Sequence, residues 1–545
     1  MSTENTPGTS SRSQRAAVSD EVSGRRLAAK TSVVSGMTLL SRILGLTRDI
    51  VFARFFGPGL VLDAFLVANR IPNMLRRFFA EGAFSAGFIP VLARYRENGS
   101  EEESREFVDA MAGTFAIVLF VVTLIGVIAA PLLVLVVAPG FLGEGGDFDL
   151  ATLMLRFTFP YLLFVSLTAF AGGILNTHGK FAVPAFTPVI LNVVLIAAAI
   201  WLAPLLGESQ EQRGMALAYA VFIAGVIQLG FQVPFLRQIR AFSRPRWAPK
   251  HEGVQRAFRL MLPAIFGSSV AQINVLLGGI IASMLSVGSI SYLYLSDRLM
   301  EFPLGLFGIA LATVTLPYLS RLWSNGSKRE FSETLDWSMK LAIILAVPAA
   351  LGLTALAEPL IATLFFGRIF DAHDVRMTAL ALQAYTVGLI GFSFVKILAP
   401  AFFAREDTKT PVKIGIVALL INVVLSVASA WLLTERGYEA PHVGLAGATS
   451  IAAIVQALLL YRRLRLDAVL KHADDWLALI ARVATANLAM SAVLVWLGQP
   501  LDWWLDSTMF GRVAWLAVSV IGGAGVYFAV LLVLGLRPNQ LRLKR

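Results

Sequence analysis

Asp63-Ala-Phe-Leu-Val-Ala-Asn-Arg70-Ile-Pro-Asn-Met-Leu-Arg-Arg77 is apolar enough to enter a membrane yet carries four full charges. At about 100° per residue, Asp63, Arg70 and Arg77 fall on one narrow stripe at a spacing of seven. Asn73 flanks that stripe, Arg76 sits further round, and Pro72 predicts a kink because it removes a backbone hydrogen bond. Just upstream, Arg42, Arg48 and Arg54 punctuate another apolar stretch, with Asp49 on the face of Arg42. Far downstream, Ser296-Asp-Arg298-Leu-Met-Glu301 repeats the pattern, with Asp297, Arg298 and Glu301 within about 100° of arc and Ser291 two turns below Arg298. Guanidinium stays charged at any accessible pH. At the centre of a lipid-facing helix each costs roughly 2.5–3.5 kcal/mol, so seven facing lipid would cost on the order of 20 kcal/mol. They are expected to line a wet cavity instead, and a permanently cationic cavity points to an anionic cargo.

The rest of the chain has the composition of a membrane protein. It is 57% hydrophobic and 15% charged, with a mean hydropathy of +0.72. About fourteen apolar runs are long enough to cross a core about 30 Å thick: 31–56, 60–92, 107–137, 152–177, 182–203, 214–236, 255–285, 288–320, 333–357, 375–403, 411–433, 443–464, 475–497 and 508–536. The connections are too short for a folded soluble domain. The expected fold is therefore an all-α integral membrane protein.

Residues 1–30, rich in Ser, Thr and Arg, read as a disordered tail without the apolar core of a cleavable signal. There is no cysteine, which excludes disulfides and thiolate chemistry. The five histidines all fall in predicted connections, none placed as a buried base or metal ligand. No GxxxxGK[ST] loop is present, so ATP hydrolysis is not expected to supply energy.

The net charge of +11 is distributed by topology. About thirty Lys and Arg lie in the tails and after even-numbered spans, and about five after odd-numbered ones. The clusters Arg237 to Arg259 and Arg462 to Lys471 follow the sixth and twelfth spans. Both termini are expected to be cytoplasmic, and nucleic acid is not an expected partner.

The chain also repeats itself. Arg70-Ile-Pro and Phe-Ile-Pro90-Val-Leu-Ala-Arg94 resemble Arg298-Leu-Met and Thr-Leu-Pro317-Tyr-Leu-Ser-Arg321, about 228 residues later. Leu191-Asn-Val-Val-Leu195 reappears as Ile421-Asn-Val-Val-Leu425 at an offset of about 230. The offset spans six helices, an even number, so both copies enter the membrane in the same sense and form a parallel pseudo-two-fold repeat. The expected organisation is a lobe at 31–240, a second at 254–466, two appended helices at 475–536 and a basic tail at 537–545.

Each charge has two competing readings. A structural ion pair or snorkelling is favoured for Arg54, Glu81, Arg156 and Lys340. A ligand-facing role is favoured for Arg48, Arg76 and Arg298, far from span ends and short of counter-charges. Arg42, Arg77 and Asp63 stand between the two, and Lys396 and Arg482 stay open. The carboxylates Asp49, Asp63, Glu81, Asp297 and Glu301 are the candidate charge partners or gating residues. Arginine rather than lysine suits planar, bidentate oxyanions such as diphosphate.

Ser41-Arg-Ile-Leu-Gly-Leu-Thr-Arg-Asp49, Asp63-Ala-Phe65, Ile71-Pro-Asn-Met-Leu-Arg-Arg77, Phe79-Ala-Glu-Gly-Ala-Phe84, Ser296-Asp-Arg-Leu-Met-Glu-Phe-Pro303 and Lys409-Thr-Pro-Val-Lys413 resemble the signatures of the MurJ (MviN) lipid II flippases. That family lies in the multidrug/oligosaccharidyl-lipid/polysaccharide exporter superfamily. The resemblance covers roughly 27–540. It implies fourteen helices in two lobes, alternating access in the bacterial cytoplasmic membrane, and lipid II as cargo. Arg48, Arg76 and Arg298 then match cavity arginines that hold the diphosphate. Arg42, Asp63, Glu81, Ser291 and Glu301 match other positions the family needs, and Arg77 and Asn73 lie beside them. The two appended helices match a groove for the polyprenyl tail.

Some relatives carry a sodium site built from carboxylates in spans seven and eleven. Here 260–285 and 414–433 contain none, so membrane potential is the expected coupling and the ion stays open. No cofactor or metal is expected. Membrane lipids and other cell-wall synthesis proteins are candidate partners. The rival readings are an exporter of another polyprenyl-diphosphate glycan and a multidrug exporter, which a cationic cavity disfavours. A membrane glycosyltransferase would need a carboxylate pair in a sizeable aqueous loop, and none is evident.

Overall fold

The computed structural model describes residues 10–79, 82–143, 148–471 and 475–536, and their side chains outside 10–32, 78–83, 85–86, 264–271 and 306–315. Glu81, His472 and the tails 1–9 and 537–545 lie outside the described residues. No strand occurs among the described residues. In chain order the α-helices are α1 (Ser10–Phe56), α2 (Leu60–Phe79), α3 (Gly82–Asn98), α4 (Glu101–Ile128), α5 (Ala130–Val137), α6 (Phe148–Thr158), α7 (Tyr161–Thr177), α8 (Ala182–Ala197), α9 (Ala203–Leu206) and α10 (Gln210–Gln238). They continue as α11 (Glu252–Ser283), α12 (Ser289–Ser324), α13 (Lys328–Ala355), α14 (Ala357–Leu364), α15 (Ala372–Phe403), α16 (Lys409–Glu435), α17 (His442–Leu466), α18 (Trp476–Trp496), α19 (Leu501–Asp506) and α20 (Met509–Val533).

Among the described residues, ten helical segments are long and apolar enough to cross a membrane. The expected spans 31–56, 60–92, 255–285 and 288–320 fall outside those ten. They are the runs interrupted by intramembrane charges or lying partly outside the described side chains. The helix of the first span reaches back to Ser10, through a stretch whose Ala, Arg, Gln and Glu are good helix formers. Of the expected 60–92 span, α2 reaches Phe79 and α3 begins at Gly82, with residues 80–81 between them outside the described ones. His442 corrects the reading of histidines as loop residues. It opens α17, is fully buried, sets its Nε2 3.1 Å from the Met377 carbonyl and lies with its ring tilted against Tyr292 at 5.1 Å. The apolar run that follows His442 begins one residue later, so periodicity alone could not place it inside the helix. His373 likewise falls in the first turn of α15.

The chain divides into two compact units. One holds 1–48, 69–130 and 154–268, the other 49–68, 131–153 and 269–545. In the first, Phe84, Phe88, Phe107, Phe115 and Phe170 build an aromatic core, with Phe84 stacked on Phe88 at 4.9 Å and Phe88 on Phe107 at 5.8 Å. In the second, Phe331, Leu335, Leu398, Phe402, Leu460 and Leu464 join α13, α15 and α17. The appended pair α18 and α20 packs on α13, where Tyr527 donates to the Ile344 carbonyl at 2.7 Å. Apolar side chains such as Val495, Phe510 and Val533 stay largely exposed on that pair, as lipid-facing positions should.

The duplication is visible in particular contacts. α4 breaks at Ala129 and α13 at Leu356, each shortly before a proline, Pro131 and Pro359. Asp109 on α4 accepts the Arg244 amide at 2.7 Å. Its counterpart Asp336 on α13 accepts the Trp476 indole at 2.6 Å. The segment after α10 is thus hooked back to α4, and the start of α18 to α13. Asn192 on α8 donates to the Ser41 carbonyl of α1 at 3.1 Å, and Asn422 on α16 donates to Asn274 of α11 at 2.7 Å.

Close helix approach in the second unit depends on Gly391, where an added Cβ would lie 2.7 Å from the Ile454 amide nitrogen. Overpacking of this kind costs about 1–3 kcal/mol. Gly391→Ala is expected to lower the unfolding temperature in detergent. An unchanged transition would show that α17 can retreat freely.

Candidate functional site

The charged residues form separate clusters in the two units. In the second unit, Asp49 near the C-terminal end of α1 is 2% exposed and accepts the Tyr294 hydroxyl at 2.9 Å. Arg298, one turn beyond Tyr294 on α12, sets Nε 3.8 Å from Asp49 and Nη1 3.2 Å from Glu301. Its guanidinium lies 5.2 Å over the Tyr294 ring. Even so, 44% of the Arg298 side chain is exposed. A guanidinium carries five donors in a planar fork, so Arg298 is oriented by its neighbours and still reachable. Asp297 beside it is half-buried and Glu301 is exposed.

Asp63 and Ser291 form the other polar knot of this unit. The α12 helix starts after Gly288, whose φ of +90° suits glycine and which has no side chain to cap the helix. Asp63, in the first turn of α2, supplies the cap. One carboxylate oxygen accepts the Gly288 amide at 2.8 Å; the other accepts both the Ser291 amide at 2.8 Å and the Ser291 hydroxyl. Both side chains are buried. Ser291, a candidate cargo contact from sequence, is committed to Asp63 in this arrangement.

In the first unit, Arg48 is half-buried on α1 and donates from Nη1 to Asn192 at 3.1 Å. On α2, Arg70, Asn73 and Arg76 are half-buried and Arg77 is exposed, while Arg42 is exposed on α1. Asn73 donates to the Asn69 carbonyl at 2.8 Å, inside the turn that Pro72 leaves weakened.

Two arginines serve the scaffold. Arg54 donates to the Leu364 and Thr363 carbonyls at 3.0 and 3.2 Å, and Arg512 reaches the Ala362 carbonyl at 3.4 Å. Together they satisfy the last carbonyls of α14, where cations are favoured. Lys340 bridges Asp336 at 2.9 Å and Asp475, as its structural reading expected. Sequence reasoning missed Tyr294 and Asn192 as partners of the arginines. The advance signals were Asn192 within the repeated Asn-Val-Val-Leu and Tyr294 one helical turn from Arg298.

The polar pair Asn274 and Asn422 is joined by Ser426 and Thr449, whose hydroxyls lie 3.4 Å from the Asn422 oxygen. All four side chains are neutral.

Comparison with known proteins gives a consistent result. The profile of the family described as "Lipid II flippase MurJ" matches residues 52–514. A probable lipid II flippase MurJ of Vibrio cholerae serotype O1 is 44% identical over 525 residues, spanning 95% of this chain and 98% of that protein. The lipid II flippase MurJ of Burkholderia cenocepacia is 40% identical over 514 residues, 93% of this chain and 98% of its own. Among solved structures, a lipid II flippase MurJ in an inward closed conformation superposes with a TM-score of 0.75 at 26% identity, covering 91% of this chain and 97% of that one. An inward-facing multidrug MATE transporter aligns at a TM-score of 0.63 and 15% identity, over 80% of this chain and 98% of its own, which shows a shared fold alone.

Proposed function

The chain belongs to the lipid II flippase MurJ family, multi-pass inner-membrane transporters rather than enzymes, and from that premise we propose how its residues move the cargo. Lipid II passes from the cytoplasmic to the outer leaflet by alternating access, with both termini cytoplasmic. The diphosphate is held by Arg48, Arg76 and Arg298, with Arg42, Arg77 and Asn73 nearby, while the polyprenyl tail stays in the bilayer along α18 and α20. What carries the diphosphate assignment is Arg298, a guanidinium on the largely apolar helix α12, seated on Tyr294 and still 44% exposed. Asp49 and Glu301 then act as stand-in anions that satisfy Arg298 in the empty carrier. Binding exchanges these carboxylates for phosphate oxygens, and release restores them. The flipped lipid must be passed on, so contacts with other cell-wall synthesis proteins belong to the same proposal.

Reconstituted proteoliposomes test this reading. Fluorescent lipid II is expected to cross only with the protein present, and a polyprenyl-diphosphate O-antigen unit to cross far more slowly. Arg48→Ala and Arg76→Ala should each slow crossing by roughly tenfold or more, the scale of one lost charge-assisted hydrogen bond. Equal transport of both glycans would replace lipid II by a broader cargo class.

The driving force is a separate prediction. Outward flipping carries diphosphate charge away from a negative interior, which supplies about 2.3 kcal/mol per charge per 100 mV. Flipping is expected to accelerate when an interior-negative potential is imposed on sealed vesicles. Rates indifferent to that potential would remove this driving force.

A further inference from the structure

Arg298 leans on two carboxylates, and one of the partners that orient Arg48 is the neutral amide of Asn192. Asn192 sits on α8, four residues past Pro188, and is 6% exposed. Its Nδ2 donates to the Ser41 carbonyl and its Oδ1 accepts from Arg48 Nη1, each at 3.1 Å. Ser41 and Arg48 are seven residues apart, two turns along the same side of α1. One amide therefore spans both turns, passing over Gly45, where even a Cβ would lie 3.9 Å from Nδ2. The assignment of oxygen and nitrogen follows from chemistry. A carbonyl only accepts and a guanidinium only donates, so the flipped amide would oppose both partners.

We propose that Asn192 is a positioning residue for cargo binding: it fixes the guanidinium of Arg48 toward the diphosphate without adding a negative charge beside it. A carboxylate in the same place would orient Arg48 equally well and compete with the cargo for it. The repeat supplies an internal control. Asn422 tethers α16 to α11 through Asn274, with an asparagine where the first copy engages an arginine. A role in helix packing alone would make the two asparagines equivalent, whereas orientation of Arg48 sets Asn192 apart. The proposal rests on the reading that Arg48 touches the diphosphate.

The test is lipid II binding to the full-length protein in nanodiscs, with thermal unfolding measured in parallel. Asn192→Ala is expected to weaken binding about tenfold, the scale of a hydrogen bond to a charged group. Asn192→Asp, of the same shape, is expected to weaken it about a hundredfold, because its carboxylate occupies the guanidinium. Asn422→Ala should lower the unfolding temperature about as much as Asn192→Ala yet bind within about twofold of the parent. Added to Arg48→Ala, Asn192→Ala should cost no more than about a further twofold.

The proposal is overturned if Asn192→Ala binds like the parent while Arg48→Ala does not, or if its full loss recurs on the Arg48→Ala background. Equal weakening by Asn422→Ala would also overturn it. If Arg48→Ala itself binds like the parent, the diphosphate reading at Arg48 fails and takes the proposal with it, a pattern distinct from silence at Asn192 alone. Should Asn192→Ala not fold, Asn192→Asp decides, since parent-like binding by that variant is incompatible with the proposal.

Discussion

Arg298→Ala is expected to abolish complementation of a flippase-depleted cell and to weaken lipid II binding by about a hundredfold or more. Truncating one partner of a hydrogen-bonded, desolvated charge pair typically costs 2–5 kcal/mol, and a tenfold change is about 1.4 kcal/mol. Two losses are combined in that figure. One is the cargo contact, and the other is the ion pair that Arg298 makes with the buried carboxylate of Asp49. They separate cleanly. Asp49 keeps the Tyr294 hydroxyl, so the stability loss should be partial and visible as a lowered unfolding temperature. Combining Arg298→Ala with Asp49→Asn should recover stability without recovering transport. Arg298→Lys keeps the charge but loses the planar fork over Tyr294, and is expected to retain a small fraction of activity. Growth supported by a well-expressed Arg298→Ala protein would end the assignment.

The sequence made the helices legible because apolar runs of membrane length are an unambiguous signal. It also located the arginines, since a permanent charge in such a run has few structural excuses. Helix breaks were less legible. The break at Ala129 scarcely disturbs hydropathy, because it falls inside the apolar run 107–137. The partners of the charges were hidden for another reason. Tyr294 lies one turn from Arg298 and was within reach of helical periodicity, but Asp49 is some 250 residues away. Nothing local tells that Arg298 meets Asp49 whereas Arg48 meets Asn192. Periodicity fixes which residues share a face; only the packed chain fixes what that face meets.

The duplication carries information of its own kind. Both copies keep the tethers that hold a six-helix unit together, at Asp109 and Asp336 and at Asn192 and Asn422. They differ where charge is concerned. The first copy places Arg48 on its tether and the second places neutral Asn274 there. Scaffold contacts survive duplication because each copy must fold. Charges can diverge because one cargo needs only one set of them.

Asp63→Ala is expected to be the most destabilising single change among the charged positions, and its cause is a missing helix cap. The α12 helix has no cap of its own, because Gly288 offers no side chain and holds φ at +90°. The Gly288 amide and the Ser291 amide and hydroxyl, which donate to Asp63, come from the first turn of that helix or the residue before it. Removing the carboxylate leaves buried amides unsatisfied at roughly 1–3 kcal/mol each and removes an anion from a helix N-terminus. A loss of about 3 kcal/mol in total is a large share of the stability of any fold. Asp63→Asn, of equal size, keeps one acceptor but turns an N–H toward another N–H, and should lose roughly half as much. The tie joins the first turn of α2 to the first turn of α12. If it stabilises one state of the transport cycle, Asp63→Asn should bind lipid II normally yet transport slowly. If Asp63 only caps α12, binding and transport should fall together and only as far as the folded fraction falls. Unfolding measured beside binding and flipping distinguishes the two outcomes. An Asp63→Ala protein as stable as the parent would show that water or another donor set replaces the cap.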